Sequence, residues 1–160
     1  MAGAGLLLGA GALCLGQAPR AWAVHLGMTP YRFTFRVTRE IAAAIAKDAG
    51  GRPFSVELAE PYNFPAHYFY LLRWMGRPPL NEDYYAHAIA RERIGERIYV
   101  IAAPGLADEP ALKGVAGPLT ETLQVRNVTI WRIDPARLAP GTRELRVRAD
   151  GPGWGLEAAE

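Results

Sequence analysis

Apolar positions change rhythm several times along this chain, and each rhythm predicts a different element. From Ala2 to Gly16 no side chain is charged or strongly polar, and Gln17, Pro19 and Arg20 end the run. Met28 to Val37 alternates aromatics (Tyr31, Phe33, Phe35), which suits a short strand or an extended arm. Ile41, Ala44 and Ile45 then recur at helical spacing, with Asp48 on the same face. They predict a helix from Arg39 to Ala49 with Thr38 as its N-cap. Gly50-Gly51 ends that helix, and Pro53 prevents its return.

The period changes to two from Phe54 to Glu60. Phe54, Val56 and Leu58 point one way, Ser55 and Glu57 the other, so the expectation is a strand with one buried face. Pro61-Tyr62-Asn63 turns the chain. Asn63 can cap the next helix, and Pro65 suits its first turn. That helix runs from Phe64 to Met75, is rich in rings, and is closed by Gly76. Phe64, Tyr68, Leu71, Leu72 and Met75 form the face for a sheet. His67, Tyr70 and Trp74 form a second face, with Arg73 and Arg77 beside it.

Further on, Asn81 ahead of Glu82 and Asp83 reads as a helix start, so Leu80 to Arg97 is expected to be a short helix or an ordered loop. Tyr85, Ala88 and Ile89 would face inward. Ile98 to Ala103 is an uninterrupted apolar run, the pattern of a central strand covered on both faces. Ala107 to Gly117 reads as a surface loop. Leu123 to Ile133 reads as one strand with an irregularity at Arg126-Asn127. Leu145 and Val147 alternate with Glu144, Arg146 and Arg148 as a last edge strand, and a tail follows. The expected fold is α/β: one small sheet of three or four strands with packed helices, preceded by an apolar N-terminal helix. The corresponding boundaries are 1–24 for the apolar segment, 25–150 for the domain and 151–160 for the tail.

Composition narrows the function. A chain of 160 residues, half of them hydrophobic, fits one domain. A net charge of +2 without a basic stripe argues against a nucleic-acid partner. A single cysteine, Cys14, excludes an intrachain disulfide, and Leu13 before it argues against lipid attachment. His25, His67 and His87 lack metal-ligand spacing. Glu57 and Glu60 read as solvated strand residues rather than a catalytic pair. Asn127-Val128-Thr129 matches the short N-glycosylation acceptor pattern. No self-contained active site, cofactor site or metal site emerges.

Three readings compete for the apolar start. The first is the end of a transmembrane helix whose beginning is missing, and Gly5 and Gly9 suit close helix packing there. The second is a signal peptide cleaved after Ala23, which lacks the basic n-region. The third is a buried soluble helix. Arg20, Arg32, Arg36 and Arg39 oppose a periplasmic placement by the positive-inside tendency, although large domains cross regardless of such charges. The second face of the aromatic helix is open in the same way. Rings with polar tips beside arginines suit a membrane–water boundary or a wet protein contact, and they also serve to cover a small core from two sides.

The segments "REIAAAIAKDAGGRPFSVELAEPYNFPAHYFYLLRWMGRPP", "ERIYVIAAP" and "VRNVTIWRI" carry a resemblance. Over Met28 to Ile133 the chain resembles the C-terminal extracytoplasmic domain of bacterial membrane glycosyltransferases of the dolichyl-phosphate-mannose–protein mannosyltransferase superfamily, which includes the aminoarabinose transferases. The resemblance implies a parent enzyme of the inner membrane. It would move a sugar from a polyprenyl-phosphate carrier to an acceptor on the periplasmic side. Catalysis in that family uses acidic residues of the multi-span body, so none is carried over to this chain. His67, Tyr70, Arg73, Trp74 and Arg77 would then face the membrane or that body. The alternative is a small exported periplasmic binding module.

Overall fold

The computed structural model describes residues 35–59, 65–82, 88–102, 110–119, 121–150 and 153–159. The apolar start, the connector before Phe35, Asn63, Phe64, Tyr85 and Glu60 lie outside these residues. Helix α1 spans Phe35–Ala49 and α2 spans Ala66–Trp74. The strands are β1 (Phe54–Ala59), β2 (Ala88–Ala90), β3 (Arg97–Ala102), β4 (Ala111–Lys113), β5 (Thr122–Val125), β6 (Val128–Ile133), β7 (Glu144–Asp150) and β8 (Gly153–Ala159). The α/β class stands. The single sheet does not: the strands form two four-stranded mixed sheets, ordered β1-β3-β6-β5 and β2-β7-β8-β4.

In the first sheet β1 runs parallel to β3, while β3–β6 and β6–β5 are antiparallel. Register decides which residues share a face. Val56 lies beside Tyr99, and Tyr99 beside Arg132. On this face the Tyr99 hydroxyl donates to Asp48 of α1 (2.7 Å), and Arg132 Nη1 donates to the other oxygen of the same carboxylate (2.9 Å). Helix α1 therefore lies here, with Ile41, Ala42, Ile45 and Ala49 buried. Ser55, Glu57 and Ala59 share the opposite face with Ile98, Val100 and Ala102. That face meets the second sheet. Val100, Ile98, Trp131 and Ile133 join Ile89, Leu145, Val147, Trp154 and Leu156 in one buried cluster.

The second sheet corrects several expectations. Strand β1 is buried on both faces, so Glu57 is an interior residue and not a solvated one. Ala88–Ala90 is a strand and Arg91–Arg93 a 3-10 turn, where a helix or loop was expected. Part of the expected surface loop is β4, and most of the expected tail is β8, paired with both β7 and β4. Strand β7 is interior to its sheet and not an edge. Leu123 to Ile133 is a hairpin with Arg126-Asn127 as its two-residue loop, because Val125 pairs with Val128. Arg126 takes φ 57°, a left-handed conformation, and its guanidinium is held by Glu40 of α1 at 2.6 and 3.0 Å. At the start of α1, Phe35 to Val37 is already helical, so Thr38 is a buried helix residue and not the cap.

The outer margin of β1 is closed without another strand. Leu80 N–H donates to the Phe54 carbonyl (2.9 Å). The fully buried Asn81 accepts from Val56 N–H (3.0 Å) and donates to the Val56 carbonyl (2.7 Å). Leu58 N–H donates to Glu57 Oε1 (3.0 Å). Asn81 is thus a side-chain substitute for a neighbouring strand, and the helix expected to start at it would fall on residues outside those described. Edge strands are commonly blunted by such devices.

Where the chain enters β1, Gly95 packs against backbone. A Cβ there would lie 2.5 Å from Phe54 Cα and 2.6 Å from the Pro53 carbonyl oxygen. Neither can yield without moving the Glu96 N–H to Pro53 bond (2.8 Å). Gly95→Ala is therefore expected to cost about 1–3 kcal/mol, the usual range for overpacking. A shift of the urea midpoint with unchanged slope is the measurement that checks it.

Candidate functional site

Helix α2 has two dissimilar faces. Tyr68, Phe69, Leu71 and Leu72 are buried. Of the face expected to meet the sheet, Tyr68, Leu71 and Leu72 are where spacing puts them and Met75 is half-buried; Phe69 joins the core as an addition. Gly76 ends the helix at φ 71°, with Gly76 N–H donating to Arg73 O and Arg77 N–H to Leu72 O (2.9 and 2.8 Å). This bond pair is the Schellman arrangement, which suits a glycine at that position. It carries Arg77 and the two following prolines away from the helix axis.

The second face lies at the surface. Tyr70 is 69 % exposed and Trp74 70 %, so covering the core is not the use of these two rings. His67 is also exposed, its ring 4.4 Å from that of Tyr68. Crowding by its neighbours removes water from the imidazole and lowers its pKa. Arg73 is held by Glu82 in a two-pronged pair (3.0 and 2.7 Å). Arg77 is exposed and reaches over Gly51 at the end of α1, where a Cβ would lie 3.4 Å from its Nη1. The structure thus brings Tyr70, Trp74, Arg73, Arg77 and His67 onto or beside one exposed helix face. It also adds what spacing did not reveal: Lys47 and Arg52 belong to the same end of α1. Arg52 Nε donates to the Ala49 carbonyl (3.2 Å). A basic residue in a last helical turn was the available signal.

Beneath α1 sits a polar group that fixes the helix on the sheet. Burial alone would raise the Asp48 carboxyl, but the bonds from Tyr99 and Arg132 hold it below its ordinary value. Burial, and then the bond to Asp48, push the Tyr99 hydroxyl well up. Arg132 Nε also donates to Glu121 (2.6 Å). Each member already has a bonded partner, which suits docking of the helix rather than chemistry.

Two hollows are less promising. One of about 460 Å³ lies at the entry to β1, lined by Pro53, Leu80, Ile94, Gly95, Glu96 and Asp134. Asp134 there accepts from Ala136 N–H (2.9 Å) and caps a 3-10 turn. The other, about 340 Å³, lies along β4 and β8 over Ala111 and Gly155. Its cations, Lys113 and Arg148, are both bonded to Glu157 (2.6 and 3.0 Å). Among the described residues, no three His, Cys, Asp or Glu side chains are placed to hold a metal ion, and no helix is long and apolar enough to cross a membrane. Asn127 of the glycosylation pattern is exposed in the β5–β6 loop, while Thr129 Oγ1 accepts from Gln124 (2.9 Å). No protein-family model, curated protein or solved structure matches this chain significantly.

Proposed function

We infer that this chain is an accessory extracytoplasmic domain of an integral-membrane glycosyltransferase that uses a polyprenyl-phosphate-linked sugar. It rests on the membrane, or on the multi-span body of that enzyme, through the outer face of α2. The sugar chemistry comes from the resemblance of the segments quoted above. The contact comes from one observation: Tyr70 and Trp74 stand exposed on a helix whose other face is fully used by the core. Aromatic residues with a polar tip favour boundaries where one side is dry and the other wet. Sugar transfer itself is assigned to the body, and this chain positions or tethers.

The test is Trp74→Ala combined with Tyr70→Ala in the full chain. Substitutions at such exposed positions normally change stability by no more than about 0.5 kcal/mol, so the melting transition should stay in place. Association with native membranes should fall by about tenfold or more, as when a pair of aromatic anchors is truncated. Unchanged association would remove the docking face, and loss of the folded state would return both rings to the core.

A further inference from the structure

We propose that the face presented by α2 and the end of α1 binds the headgroups of an anionic phospholipid bilayer, with Lys47, Arg52 and Arg77 supplying the charge and Trp74 and Tyr70 the interfacial rings. This rests on reading the α2 face as a docking surface, and it names what that surface meets.

Among the described residues, the acids carried by α1 and by the turn after α2 are committed elsewhere. Asp48, the one acid between Lys47 and Arg52, turns inward to Tyr99 and Arg132. Glu82 is taken by Arg73, and Glu40 by Arg36 and Arg126. Among the described residues, no carboxylate pairs with Lys47 or Arg77, and both side chains are exposed. Arg52 spends its guanidinium on the carbonyls of Ala49 and Asp48 (3.2 and 3.4 Å), and among the described residues no carboxylate is paired with it. Cations at a helix C-terminus also complement the helix dipole. That accounts for Lys47 and Arg52. It does not account for Arg77, which belongs to the turn after α2 yet reaches Gly51, nor for two bare rings three and seven residues before it.

On the second sheet Arg146 is bonded to Glu144 and Arg148 to Glu157 (2.6 and 3.0 Å). Cations with exposed Trp and Tyr on one face are the pattern of a surface lying in a headgroup layer. A protein partner would more often meet such cations with carboxylates, and nothing in the fold selects one. The bilayer is therefore the occupant favoured here.

Co-sedimentation of the full chain with vesicles tests this. One set contains phosphatidylcholine alone, the other phosphatidylcholine with 30 % phosphatidylglycerol. Each basic residue near an anionic surface contributes a factor of roughly five, so Lys47→Gln with Arg77→Gln should lower partitioning to the anionic vesicles roughly 25-fold. Binding to neutral vesicles should not change, and any effect of the apolar N-terminal segment is the same in every variant. Near-UV circular dichroism of the variant must match that of the parent chain. Wild-type binding of the two-charge variant to anionic vesicles overturns the inference. If the ring variant alone loses membrane association, the docking face stands and headgroup binding fails. Loss of binding to native membranes with no change on vesicles assigns the face to a protein. Displacement by millimolar inorganic phosphate at constant ionic strength marks a discrete phosphate site instead, and also overturns it.

Discussion

Replacing Asn81 with alanine is expected to lower the unfolding free energy by about 2–4 kcal/mol, because it strips two bonds from a buried strand margin at once. The amide accepts from Val56 N–H and donates to the Val56 carbonyl, and both partners lie where water does not reach them. A buried donor or acceptor left alone costs about 1–3 kcal/mol. Asn81→Asp separates this cause from mere loss of volume. An ionised aspartate still accepts from Val56 N–H, but its second oxygen then faces the Val56 carbonyl oxygen. Protonation restores a donor at that atom. Measured against the parent chain at the same pH, urea titrations should show Asn81→Asp strongly destabilised at pH 7 and partly recovered near pH 4, while Asn81→Ala stays equally low at both. Equal behaviour of the two variants at both pH values would remove the bonding account.

A second large effect is expected at Glu57. Burial between the two sheets pushes its carboxyl from an ordinary value of 4.5 up to about 7, partly opposed by the Leu58 N–H bond. In the folded chain the carboxyl therefore holds a proton that the unfolded chain has already released. Its contribution is fully present below about pH 4.5 and is lost as pH rises through about 7. Stability should fall across that window by up to about 3 kcal/mol on account of this one group. Glu57→Gln keeps the shape and an acceptor for Leu58 N–H but removes the titration. The variant should be as stable as the parent near pH 4.5, more stable by up to about 3 kcal/mol at pH 8, and nearly flat between. Chemical denaturation at half-unit pH intervals gives both curves. A parent curve already flat from pH 5 to pH 8 would contradict this account of Glu57.

The first layer of the fold is legible in the sequence because its signals are local. Ile41 and Ile45 announce α1, the run around Val100 announces a strand covered on both sides, and Gly76 announces the end of α2. The second sheet is not legible, for physical reasons that differ from strand to strand. β2 and β4 are three residues each, too short for any period to register. β8 contains Gly153, Gly155 and no β-branched residue, so it lacks strand propensity, and its place depends on pairing with β7 and β4. Without that sheet, Ser55 and Glu57 could only be read as facing water. The hairpin loop was hidden too, since Arg126 takes the positive φ usually given to glycine or asparagine. Of the site, the outer ring face of α2 was written in the spacing of His67, Tyr70 and Trp74. The cations of α1 were not, because only the tertiary fold lays Arg77 over Gly51.

The indole rings of Trp131 and Trp154 stand 5.9 Å apart at 49°, one carried by each sheet. Two chromophores held so close and at a fixed angle couple their transitions, so the molecule contains its own optical gauge of sheet separation. The near-ultraviolet dichroism of that pair should vanish when the layers part, even while backbone signals persist. Trp74, on the far side and open to solvent, would instead answer to quenchers and to whatever covers α2. In a Trp22→Phe variant, internal cohesion and external contact can thus be followed separately without a label.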